Sequence, residues 1–207
     1  ELVRAHAEVH GEAFRAAVNG QVLQPGESEL DGPPTTGLAG IRRDLDFRFN
    51  STRAVDGIAS VIGCNLSVRR DAALGVGGFD ERFVGAAYRF ETEFCRRLLR
   101  AGLPPRFDTR PSIDHLRAGS GGTRQRGSHL TSASPAHAVG DYYFAHLEAA
   151  GLERWRYVGR RMVREVATRF HLRRPWWIPV KLVGEVRGLS LARRLFREKL
   201  RKGGSGA

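Results

Sequence analysis

Two carboxylates set two residues apart, Glu91 and Glu93, open an amphipathic segment that begins at Phe90. A carboxylate in the first turn of a helix stays ionised at neutral pH, because the N-terminal backbone N–H groups favour the anion. That is the state required to take a proton from an attacking hydroxyl, so Glu91 is the candidate general base and Glu93 its alternative. Both also have a structural use. Acids favour a helix start, and Glu93 precedes Arg97 by four residues, the spacing of a stabilising ion pair. His115 closes an extended stretch beside a Gly- and Ser-rich segment, where a neutral imidazole suits a divalent ion such as Mn, or serves as an ordinary surface or core histidine. Asn65 and Arg69 follow a β-branched run and can orient ligand groups or cap a short helix. Gly77, Gly78 and Asp80 shape a turn that can also contact a small-molecule substrate.

These residues need a frame. Ala16 to Gln24 alternates loosely in apolar character and stops at Pro25-Gly26, as a strand running into a turn does. Ile58 to Ile62 reads as a second, buried strand, and Asp71 to Leu74 as a short helix broken by Gly75, Gly77 and Gly78. Phe90, Phe94 and Leu98 recur at helical spacing until Gly102 and Pro104. Arg106 to His115, interrupted by Pro111, predicts an edge or irregular strand. A loop is expected from Arg117 to Pro135, then helices over Asp141 to Ala149 and Leu152 to Phe170. The second of these carries Trp155, Val158, Met162 and Val166 as an apolar stripe, and a basic helix from Leu182 to Leu200 ends the chain. The expected fold class is α/β, a mixed sheet followed by C-terminal helices. The division is residues 1–140 as a catalytic part and 141–207 as a helical basic extension.

Composition narrows the field. With 207 residues, 41% hydrophobic and 27% charged, the chain can bury a core without disulfides or metals. Cys64 and Cys95 lack metal or redox spacing and read as two buried free thiols. No apolar run is long enough to span a membrane, and no signal peptide opens the sequence. Leu2 to Phe14 already reads as helix and the first residue is Glu1, so the expectation is a chain that begins inside a larger protein. The net charge of +12 points to anionic partners.

Four segments in order carry a resemblance: Gly63-Cys64-Asn65-Leu66-Ser67-Val68-Arg69-Arg70, then Gly77-Gly78-Phe79-Asp80-Glu81, then Phe90-Glu91-Thr92-Glu93-Phe94-Cys95-Arg96-Arg97-Leu98, then His115. Together they resemble family 2 glycosyltransferases over roughly residues 16–124. The resemblance implies a partial GT-A (Rossmann-like) fold and inverting transfer from a nucleoside-diphosphate sugar to a polysaccharide, lipid-linked or small-molecule acceptor. It also implies a divalent cation, Mg or Mn, with His115 as one ligand, and an upstream half carrying the nucleotide-binding elements and the D-x-D motif. By the same resemblance Gly122 and Arg124 lie in a loop folding over the donor, where Arg124 meets the diphosphate. The chain departs from the pattern at Phe90, which stands at the first acid, and at Glu91, which replaces the usual Asp.

Two other classes compete. A catalytically silent, glycosyltransferase-like adaptor is compatible with the departure at Phe90. A basic nucleic-acid-binding module rests on charge alone, lacks a recognisable reading motif, and is not the expectation. Trp176 and Trp177, ahead of Arg187, Arg193, Arg194, Arg197, Lys199, Arg201 and Lys202, suit either a solvated basic helix or an anchor on anionic lipid. The location implied is cytoplasmic, with possible peripheral attachment to the inner face of the cell membrane.

Overall fold

A computed structural model describes residues 1–12, 16–116 and 128–203. The chain forms two compact units, Glu1–Asp80 with Glu91–Ala118, and Glu81–Phe90 with Gly119–Ala207. Residues 81–90 and 119–140 thus group with the helical unit, whereas the expected division places them in the first part.

The first unit is α/β. Its helices are α1 (Leu2–Glu12), α2 (Arg70–Gly75) and α3 (Phe90–Arg100), and its strands β1 (Ala17–Leu23), β2 (Val55–Asp56), β3 (Leu66–Val68) and β4 (Arg106–Asp114). The sheet is mixed, in the order β2-β4-β1-β3, with β1 parallel to β4 and antiparallel to β3. The irregular strand expected around Pro111 is present. Between the pairs Gly20–Asp108 and Gln21–Ser112 the ladder shifts, and Thr109, Arg110 and Pro111 loop out of β4. Gly20 is required opposite this bulge, because a Cβ there would lie 2.1 Å from the Pro111 carbonyl oxygen. Asp108 secures the loop by accepting from Arg110 Nε at 2.9 Å and from Arg106 Nε at 2.9 Å. Burial pushes the Asp108 carboxyl up, but the two guanidiniums outweigh it and hold it well below the usual carboxylate range.

α3 follows its sequence pattern. Phe94 and Leu98 are fully buried with Ala17 and Ala72, while Cys95 packs with Phe47, Ile58 and Phe107. The helix ends on Gly102, at φ 73, where Gly102 N–H donates to Leu99 O and Leu103 N–H to Leu98 O. Leu103 packs against the cluster that holds Phe94 and Leu98.

Ile58 to Ile62 is a correction. Ile58, Ala59 and Val61 are buried as expected, yet the run joins no ladder. Its backbone donors go elsewhere: Ala59 N–H to Asp44 Oδ2 at 2.7 Å, Ile62 N–H to Asn19 Oδ1 at 2.6 Å, and Ile58 N–H to the Pro105 carbonyl. A buried segment needs partners for its amides, and side-chain oxygens meet that need as well as a neighbouring strand does. Apolar periodicity cannot distinguish the two.

The second unit is helical: α4 (Val139–Glu148), α5 (Gly151–Val166), α6 (Arg169–Arg173) and α7 (Trp177–Gly203). The single helix expected over Leu152 to Phe170 is broken after Val166, and Thr168 caps α6 by accepting from His171 N–H. α7 runs longer than the expected Leu182 to Leu200 because Pro179 falls in its first turn, where a missing N–H costs nothing. Gly184 and Gly188, one turn apart, allow close packing. A Cβ on Gly188 would sit 2.5 Å from Ala138 Cβ, and one on Gly184 would sit 2.8 Å from the Ser132 carbonyl.

The centre of this unit is charged. Asp141, Arg161, Lys181 and Glu185 are all buried. Arg161 donates to Asp141 and, at 3.2 Å, to Glu185, which also pairs with Lys181 at 2.8 Å and accepts from Tyr142 OH at 2.7 Å. Arg89 adds a bond to Asp141 at 3.2 Å. Burial raises the Asp141 carboxyl, and Arg161 and Arg89 overcome that to hold it below its ordinary value.

Candidate functional site

The candidate site is built on the turn Gly63–Asn65, which β1 and α3 hold in place. Asn19, fully buried on β1, clasps both sides of the turn: its Oδ1 accepts from Ile62 N–H, and its Nδ2 donates to the Asn65 carbonyl at 3.2 Å. Asn65 then ties the turn to both parallel strands, its Nδ2 donating to Gln21 O at 2.8 Å and Pro111 O at 2.9 Å, while its Oδ1 pairs with His6 Nε2 at 2.9 Å. Ser67 Oγ extends the network to His6 Nδ1 at 2.7 Å and His10 Nε2 at 3.0 Å. Neither Asn19 nor His6 was singled out by sequence. A lone Asn in a strand and a His on a polar helix carry no motif, and only the fold brings them together.

Glu91 meets this turn. Its Oε1 accepts from Gly63 N–H at 2.8 Å, across 28 residues of sequence. Gly63 has a steric reason to be glycine, since a Cβ there would come within 2.4 Å of Glu91 Oε1. The carboxylate is half-buried, at the start of α3, and oriented by a backbone donor. Such a group is positioned to accept a proton from a ligand hydroxyl. Cys64, expected to be buried, is exposed on the turn. Partial desolvation and then the Glu91 charge push its thiol up. Cys95 is the buried thiol, pushed far up by its surroundings.

Glu93 is used differently. It is buried and gives both oxygens to Arg97, at 2.8 and 2.9 Å, and Arg97 also donates to the Val76 carbonyl. This is the i, i+4 pair anticipated from spacing, and it fastens α3 to the residues following α2. Asn65, expected either to orient ligand groups or to cap a short helix, is also buried, with its amide nitrogen and oxygen engaged within the protein. Arg69 stands at the exposed start of α2 and pairs with Asp71 at 3.4 Å. Gly77 and Gly78 adopt φ of 82 and 66, so the turn before Asp80 needs glycine for its backbone alone. Gly122 and Arg124 lie outside the described residues.

His115 follows the last residue of β4 at the C-terminal end of the parallel pair, its N–H bonded to Leu23 O at 2.8 Å. Ligands of open α/β sheets gather at such strand ends. Its Nδ1 is buried and without a hydrogen-bond partner among the described residues. A cavity of about 390 Å³ opens at the same end of β1, lined by Val22, Gln24, Glu27, Phe47, Arg48 and Ile62 among others. Ile62 adjoins Gly63, so the cavity reaches the turn that orients Glu91, although Glu91 and His115 are not among its lining residues.

No family model, curated protein or solved structure matches this chain. Among the described residues no three His, Cys, Asp or Glu side chains converge as a metal cage, and no helix is long and apolar enough to cross a membrane.

Proposed function

We propose that this chain contributes the acceptor side of an inverting, nucleotide-sugar-dependent glycosyltransferase of the GT-A type, with Glu91 as its general base. The observation that carries the reading is the Glu91 carboxylate, oriented by Gly63 N–H at the start of α3, on a turn whose neighbour Ile62 lines a cavity at the strand ends. In the step proposed, Glu91 accepts the proton of an acceptor hydroxyl as that oxygen bonds to the anomeric carbon. The bond from that carbon to the diphosphate breaks, and the diphosphate leaves with its electron pair. The acceptor is a glycan, a lipid-linked sugar or a small hydroxylated molecule, all of which present such a hydroxyl.

The cation belonging to this reading is Mg or Mn, and the residue offering a donor atom is His115, through its unpartnered buried Nδ1. Bound there, the ion would neutralise charge on the departing diphosphate. The residues of this chain fit one ligand of that ion and supply no complete cage among the described residues.

Glu91→Gln keeps the shape of the side chain and removes its basicity. In the protein that also carries the donor-binding half, without which this part is expected to be inactive, release of nucleoside diphosphate from a panel of sugar nucleotides, with Mn or Mg and mixed acceptors, is expected to fall by about 100-fold or more, the range a positioned base supplies. Equal release by wild type and variant would remove Glu91 from the reaction. Absence of release with every donor in the protein carrying both halves would favour a glycosyltransferase-like adaptor, with which the apolar Phe90 is compatible.

A further inference from the structure

α5 has two apolar faces. Of Trp155, Val158, Met162 and Val166, expected as an apolar stripe, Val158 is buried, Met162 and Val166 are half-buried, and Trp155 is exposed. The inward face also presents Tyr157 and Arg161 to Asp141, and Arg161 to Glu185. Outward, Leu152, Trp155 and Val163 are 64%, 52% and 63% exposed. With Gly159 they recur at i, i+3, i+7 and i+11, a single stripe along the helix. Arg156, Arg160 and Arg164 run alongside at i, i+4 and i+8, all exposed. No carboxylate among the described residues pairs with Arg156 or Arg160. A solvent-facing stripe of Leu, Trp and Val costs solubility unless something covers it.

Charge identifies what covers it. The helical unit, residues 81–90 and 119–207, holds twenty of the 34 Lys and Arg but seven of the 22 Asp and Glu, so the positive excess of the whole chain resides there. A second copy of this unit would bring a like-charged face to the stripe, which opposes self-association. An anionic bilayer meets both parts of the face: apolar side chains enter the headgroup boundary, Trp sits at the interface, and Arg meets lipid phosphate. The next outcrop along the chain has the same make-up. Leu172 and Trp176, 71% and 65% exposed, stand beside Arg173 and Arg174.

We infer that α5 lies on an anionic lipid surface, with Leu152, Trp155 and Val163 inserted at the headgroup–acyl boundary and Arg156 and Arg160 against the headgroup phosphates. This goes beyond sugar transfer and is tested without it. The chain is sedimented at physiological salt with vesicles of phosphatidylcholine, and with vesicles of phosphatidylcholine mixed with phosphatidylglycerol. Binding to the mixed vesicles alone is expected. Arg156→Gln with Arg160→Gln lowers the affinity about 30-fold, as two surface cations should, while the far-ultraviolet circular dichroism spectrum is unchanged. In a Trp176→Phe, Trp177→Phe background Trp155 is the sole indole, and brominated lipid quenches it. Equal binding to neutral vesicles, no binding at all, full binding by the double Arg variant, or an unquenched Trp155 overturns the inference. So does Trp155-dependent self-association in vesicle-free solution, which assigns the face to a second copy.

Discussion

Gly63→Ala isolates the contact on which the candidate site rests. The added Cβ would lie 2.4 Å from Glu91 Oε1 and 3.3 Å from its Cδ, while the backbone of Gly63 itself has ordinary negative φ. The clashing atom is the end of a flexible side chain, so the protein relieves the contact by swinging the carboxylate aside rather than bending the turn. What is lost is the 2.8 Å bond from Gly63 N–H to a charged acceptor. Bonds to charged groups are worth about 1.5–3 kcal/mol when buried, and the exposure of Gly63 places this one near or below the lower bound, at about 1 kcal/mol. In a Glu91→Ala background the carboxylate is absent, and Gly63→Ala should be neutral or stabilising by up to about 1 kcal/mol, since alanine narrows the unfolded ensemble. Urea unfolding of wild type, both single variants and the double variant closes the cycle. The gain from alanine enters both legs and cancels, so the expected coupling is about 1 kcal/mol. Additive effects would show that Gly63 and Glu91 do not act on each other, and the oriented carboxylate would have to be abandoned.

Two further perturbations probe the helical unit. Arg161→Met leaves Asp141 and Glu185 buried without their shared cation, and should destabilise this unit by about 3–5 kcal/mol in denaturant titrations; a change below about 1 kcal/mol would mean the network is solvated. His146 is 6% exposed, stacks on Phe196 at 5.3 Å, and has both ring nitrogens unpartnered among the described residues. Burial, with Arg154 and Arg193 nearby, pushes its pKa down to about 4. The unfolded chain therefore takes up a proton near pH 6.5 that the folded unit refuses until about pH 4, so stability is fully present above the first value and declines towards the second. The urea midpoint should fall from pH 7 to pH 5, and His146→Phe should reduce that fall. An identical decline in the variant would exclude His146 as its source.

The elements that sequence identified well are those whose local pattern coincides with their environment. α3 has apolar residues at helical spacing, acids first, and Gly102 at its end, and all three features act in the folded chain. The interruption at Pro111 is legible for the same reason, because proline cannot donate to a ladder. The run Ile58 to Ile62 shows the limit: burial was legible, but the partners of its amides are Asp44, Asn19 and Pro105, remote in sequence and without a local signature. The site divides similarly. Glu91 was identifiable from its place at a helix start, whereas Asn19, which fixes the turn that orients it, was not.

The orientation of α5 has an electrostatic reason. Asp141, on α4, pairs with Arg89 and with Arg161, and Arg161 also reaches Glu185, so it bridges the two buried carboxylates only if that side of α5 turns inward. Removing that cation from between two buried carboxylates costs about 3–5 kcal/mol. Once Arg161 faces inward, helix geometry carries Leu152, Trp155 and Val163 to the outside. The apolar face and the buried ion network are therefore consequences of one rotation. A surface that takes up the exposed face stabilises the inward one too, so vesicle binding and the cost of Arg161→Met should be thermodynamically linked.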